Sequence, residues 1–230
     1  IIIIALLFVQ AWCDLSLPAY TSDIIDVGIQ NNGVEHVVPE KMTADEFDTE
    51  QFIMTDKETN TWKDIYEKKD DLYELKDLSN KELNDIDEEL TIPLIMNYQM
   101  RAMEVDTFKE TIAKQMGKDV SAFADMSVED IGAMMHVDLK SFKQEKEDDD
   151  GNKVKVDCVD VRPIFANMLA SGAMDKDQIL SMRDTMEDTI DTMGSSLVKS
   201  MGIAYAVAAD KDAGVNVDKI QKSYLLIQLC

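Results

Sequence analysis

One piece of helix grammar recurs four times from residue 42 onward: an apolar residue, a capping residue, two others, an acid or amide, then another apolar residue. The copies are Met42-Thr43-x-x-Glu46-Phe47, Leu78-Ser79-x-x-Glu82-Leu83, Met126-Ser127-x-x-Asp130-Ile131 and Met174-Asp175-x-x-Gln178-Ile179. In each, the second residue can accept from the orphan amides of a first helical turn while the fifth reaches back to the cap, and the outer apolar pair forms a hydrophobic staple. Four such starts commit the chain to a mainly α fold. The last two copies are 48 residues apart and share flanking Ala and Met positions, but any helical protein reuses this grammar, so the spacing is read as capping rather than duplication.

Between the starts, apolar residues recur at helical spacing. Trp62, Ile65, Tyr66, Leu72, Tyr73 and Leu75 predict an amphipathic helix over about 60–77. Met96, Met100, Met103, Phe108, Ile112 and Met116 predict a longer helix that Pro93 begins and Gly117 ends. The longest stripe, Ile179, Met182, Met186, Ile190, Met193, Leu197 and Met201, requires a helical partner, with Gly194 and Gly202 marking either a close approach or a break. Residues 137–161 differ: Val154, Val156 and Cys158 alternate with Lys155 and Asp157, and Asp150-Gly151 suits a tight turn, which predicts an inserted β-hairpin with a charged tip.

Residues 14–40 carry Pro18, Gly28, Gly33 and Pro39 around two short apolar patches, Ile24-Ile25 and Val37-Val38, and read as an extended arm with a turn at Asn32-Gly33. Before it stands the uncharged run from Ile1 to Val9, with Ala11 and Cys13 in the small-residue places of a signal cleavage site before Asp14. About 20 apolar residues are needed to span a bilayer, so residues 1–13 read as a signal-peptide remnant, with a partial membrane anchor as the alternative. The expected architecture is a helical bundle-like domain over 41–230 with the hairpin inserted and the arm extended.

Charge narrows the partners. The 46 Asp and Glu against 23 Lys and Arg give a formal charge of -23, which disfavours nucleic-acid backbones and anionic lipid and leaves basic partners and cations. Calcium is the cofactor the sequence favours. Asp56, Glu58, Asn60, Asp64 and Glu67 fall at five ligand positions of an EF-hand loop, although Thr61 stands where the loop needs Gly and Lys63 where it needs an apolar residue. The competing reading is a solvated helix start. Asp148, Asp149 and Asp150 at the hairpin tip could hold a hard cation loosely. Fifteen Met residues invite copper(I), yet they fall where helical core residues belong.

Cys158 and Cys230 would form an even pair after signal cleavage and are a disulfide candidate. Catalytic inventory is thin: His36, His136 and a His136–Cys158 pair, with no phosphate loop, dinucleotide fingerprint, zinc motif or nucleophile elbow. No catalytic residue is assigned. The expectation is a non-enzymatic, secreted, periplasmic or organelle-lumen structural protein that acts through protein–protein contacts or self-assembly, with weak calcium binding. Two alternatives stay open, a membrane-anchored accessory subunit of a larger complex and an enzyme with an unrecognised site.

Overall fold

The computed structural model describes residues 31, 33–147, 153–190 and 195–228. From the amino end, β1 (Lys41–Thr43) leads into α1 (Ala44–Thr49), a 3-10 turn (Glu50–Ile53) and α2 (Asp56–Ile65). Then β2 (Tyr66–Lys69) and β3 (Leu72–Leu75) precede the long α3 (Asn80–Arg101). After β4 (Met103–Glu104) follow α4 (Val105–Gln115), a 3-10 turn (Val120–Phe123) and α5 (Val128–Met134), and next the hairpin β5 (Ser141–Glu147) and β6 (Lys153–Val159). The chain closes with α6 (Arg162–Ser171), α7 (Lys176–Ile190), α8 (Ser195–Asp212) and α9 (Val217–Gln228). The molecule is mainly helical, but it holds two three-stranded antiparallel sheets, ordered β1-β3-β2 and β4-β6-β5, where the sequence predicts one hairpin.

All four helix starts read from the sequence are capped as their residues dictate. Thr43 Oγ1 accepts from the Glu46 amide at 3.2 Å. Ser79 and Ser127 form reciprocal boxes with Glu82 and Asp130, and Asp175 exchanges bonds of 2.8 and 2.9 Å with Gln178. A fifth capped start begins α2, where Thr55 Oγ1 accepts from the Glu58 amide and Glu58 Oε2 accepts from the Thr55 amide at 2.7 Å. Each such cap satisfies amides that a helix end would otherwise strand, worth about 1 kcal/mol.

Three stripes are corrected by the fold. The helix expected over 60–77 stops at Ile65, because Asp70 turns the chain at a positive φ of 54° and residues 66–75 pair as β2 and β3, Tyr66 opposite Leu75. Pro93 lies buried inside α3 instead of starting it: the Ser79 box nucleates the helix upstream and the helix runs through the proline. The same Met-rich stripe then breaks at Ala102 (ψ 45°), where Met103 leaves the helix to pair with Val159. The last long stripe is shared by α7 and α8, and within α7 Ile179 is buried while Met182 is 47% exposed. Gly202 marks a close approach, since a Cβ there would meet Val37 Cγ1 at 2.8 Å.

Two cores result. The first gathers Trp62, Tyr66, Phe47, Leu90, Leu94 and Tyr205 between the β1-β3-β2 sheet, α3 and α8. The second gathers Phe108, Phe123, Ile131, Leu139 and Val159 between α4, α5, α6 and the other sheet. Ile53, Met96 and Ile179 form a small bridge between helices. Of the arm, residues 33–40 run irregularly into β1 with Val37 and Val38 buried, and the Val34 amide donates to Asn31 O at 3.0 Å, closing a turn at Gly33 (φ 77°). Residues 1–30, including the candidate cleavage site, lie outside the described residues. No helix of the described residues is long and apolar enough to cross a membrane.

Candidate functional site

The calcium-loop residues are placed as a helix. Asp56, Glu58, Asn60 and Asp64 lie on α2 and Glu67 on β2. An EF-hand curls a loop around its ion, whereas a helix turns successive side chains 100° apart, and among the described residues no group of three or more His, Cys, Asp or Glu is arranged to hold a metal. Nor is this helix start solvated at Glu58, which is buried and paired with Arg183 through bonds of 2.5 and 2.7 Å. The tip residues Asp148, Asp149 and Asp150 and the thiol of Cys230 lie outside the described residues. Cys158 is fully buried on β6 opposite Phe142, and His136 is exposed just beyond α5 in a left-handed turn (φ 57°). A thiol sealed from solvent is out of a substrate's reach.

The charged groups that burial singles out were not visible in the sequence, because their partners are distant along it. Arg162 at the start of α6 donates from Nε to Asp160, from Nη1 to Glu46 (3.1 Å) and Glu50 (2.8 Å), and from Nη2 to Glu46 (3.1 Å) and Asp160 (2.8 Å). Its fork is thus saturated by carboxylates from α1, the following 3-10 turn and its own loop. Burial alone would raise the Glu46 carboxyl, but the Arg162 charge and hydrogen bond outweigh it and hold Glu46 below the ordinary range. Glu50 goes the other way: full burial and the adjacent Glu46 charge push it well above that range against the pull of Arg162. A similar balance holds Asp87 low, where burial is outweighed by His36, Lys199 and the Val37 amide, each at 2.9 Å. These clusters cross-link elements, and each uses its donors internally.

What reaches outward is the β5–β6 hairpin. The register places Phe142 opposite Cys158, Gln144 opposite Val156 and Lys146 opposite Val154, so Phe142, Val154 and Val156 share one face of the ladder. Phe142 is 40% exposed and Val154 37%, while Cys158 at the base of the same face is sealed. β5 is the edge of its sheet, and β4 covers β6 only at Cys158 and Val159. Beside Phe142 lies a hollow of about 380 Å³ between the hairpin and helices α3 and α8, with Tyr98, Ala102, Ala204 and Ala208 among its lining. Gln144 Nε2 donates to the Tyr98 hydroxyl at 3.3 Å across one end. At another, Arg101 donates to Asp212 and, at 3.4 Å, to Glu46. The small side chains of α8 create the depth, and Phe142, Lys143 and Gln144 of β5 form one wall.

No family model, no curated protein and no solved structure matches this chain.

Proposed function

We propose that the chain is a non-enzymatic, acidic assembly protein, exported or lumenal, that works through protein–protein contacts made by the β5–β6 hairpin. The observation that carries this reading is the exposed apolar pair of that hairpin, Val154 on β6 and Phe142, which stands on the edge strand β5 next to a hollow. An open edge offers unpaired backbone groups for strand addition, and an aromatic anchor beside a pocket is the usual composition of an interface centre. Charge supports the choice of partner. At -23 the surface repels nucleic acid and further copies of itself at low salt and attracts basic surfaces. Weak calcium binding belongs to the same reading, as diffuse accumulation of the ion around the acidic surface that relieves self-repulsion, not as one tight site.

The test is a photo-reactive amino acid at position 142 of the full chain, expressed in its native source and irradiated there. A discrete cross-linked species containing one partner polypeptide, or a second copy of the chain, is expected at 142 and not at the exposed helix position Glu110. Equal, diffuse labelling at both positions would reject the hairpin as the contact element. Sedimentation of the purified chain with and without calcium at about 1 mM reads the ionic component: a modest, saturable shift toward faster species is expected.

A further inference from the structure

A second concavity lies on the opposite chemistry. It is a cleft of about 850 Å³ between the described end of the arm, the beginning of α3 and the α8–α9 turn, with Val38, Leu75, Leu83 and Ile220 supplying apolar walls. Its size falls within the range of small-molecule sites. Asp210, near the end of α8, forms part of the lining and is fully buried. One of its oxygens, Oδ1, accepts from the Lys41 amide at 2.8 Å. The other, Oδ2, is buried with no hydrogen-bond partner. Leaving such an oxygen unpaired costs about 1–3 kcal/mol, and two nearby side chains are engaged elsewhere: the Tyr66 hydroxyl donates instead to Pro39 O at 2.8 Å, and His36 faces Asp87. Glu35 and Glu40 add two exposed carboxylates to the lining, against the single ammonium of Lys219.

We propose that this cleft is a binding site for a small ligand with an apolar body and a protonated amino group, whose N–H donates to Oδ2 of Asp210. The apolar walls take the body, the buried acid takes the ammonium, and the charge of the chain raises the local concentration of cations. Burial pushes the Asp210 carboxyl up to about 7, against the pull of the Lys41 and Glu40 backbone amides. A bound cation would favour its ionised form. The charged and titratable groups around it are Glu40 and Lys41 on the arm and β1, Tyr66 on β2, and Glu35, His36 and Lys219 along the cleft.

The probe is 2-phenylethylamine, titrated into the full chain by calorimetry, with 2-phenylethanol as the uncharged analogue of the same shape. The amine is expected to bind at least about tenfold more tightly than the alcohol, and its affinity should rise about tenfold from pH 6 to pH 8 as Asp210 ionises. Asp210→Asn keeps an oxygen for the Lys41 amide and should erase both preferences. Should that variant fail to fold, Ile220→Trp fills the cleft from its wall and is expected to abolish amine binding. Absence of amine binding to the full chain overturns the proposal. So does equal binding of amine and alcohol with no pH dependence.

Discussion

The molecule contains two hairpins built on the same plan, each with one strand central in a three-stranded antiparallel sheet, and they are put to opposite uses. In β2–β3 the strands are short, β1 pairs along three residues of the central β3, and Tyr73 stacks on Phe47 with centroids 3.7 Å apart while Tyr66 meets Trp62 edge-on at 4.8 Å. In β5–β6 the strands are seven residues each, and the third strand covers only the last two residues of β6. Aromatic side chains fill the first hairpin into a core. On the second, the apolar face passes from the sealed Cys158 to the exposed Val154. Strand length against coverage therefore separates a hairpin that stabilises from one that presents.

Replacing one aromatic on each hairpin is the harshest way to break that contrast. Tyr66→Ala removes a buried ring and its hydroxyl bond to Pro39 and should cost about 3–5 kcal/mol in urea unfolding. If Phe142→Ser costs as much, the outer hairpin is core and the distinction collapses. The root of the outer hairpin is the next target. Arg162→Ala strands Glu46, Glu50 and Asp160 in a buried site and should destabilise by about 3–5 kcal/mol, whereas an Arg162→Met, Glu46→Gln, Glu50→Gln triple variant should recover much of the loss.

Acidity gives a third, intermediate effect. Asp210 and Glu50 have folded-state affinities for protons above those of the unfolded chain, so their contribution is fully present below about pH 4 and is lost as pH rises through the folded values, near 7 for Asp210. Glu46, Glu58 and Asp87 are held low, and their contribution is lost as pH falls below the ordinary carboxylate range. Chemical denaturation should therefore show stability declining from about pH 5 to pH 8 by roughly 2–3 kcal/mol through Asp210 alone, and Asp210→Asn should flatten that decline. Glu46 and Glu50 belong to the Arg162 cluster at the root of the outer hairpin, and Asp210 accepts from β1, so the pH response involves both sides of the molecule. The smallest effect is on the outer face: Val154→Thr should leave stability within about 0.5 kcal/mol, since the side chain is already 37% exposed.

The same contrast explains what was legible in the sequence. The outer hairpin announced itself, because Val154, Val156 and Cys158 alternate with Lys155 and Asp157 without competition from helical spacing. The inner one did not: Trp62, Ile65, Tyr66 and Tyr73 fit a helical stripe, and the turn is made by Asp70-Asp71, which lacks the glycine that marks tight turns. The helix starts were readable because a capping box is local. The start at Thr55 escaped the four-copy pattern since Thr59 stands where the staple residue belongs, and its acid, Glu58, was read against calcium spacing instead. The hollow, the cleft and the Arg162 cluster were illegible for one reason. Their members, such as Glu46 with Arg162 or Lys41 with Asp210, are brought together only by the tertiary fold.

Hydrogen exchange on the full chain, purified alone and again within the assembly isolated from its native source, compares the two hairpins directly. The amides of Ser141–Glu147 that β6 leaves unpaired should exchange fast in the free chain and slow at least about tenfold in the assembly, while those of the central strand Leu72–Leu75, paired on both sides, stay protected in both. Unchanged exchange along Ser141–Glu147, with new protection on some other surface, would contradict the hairpin as the contact element.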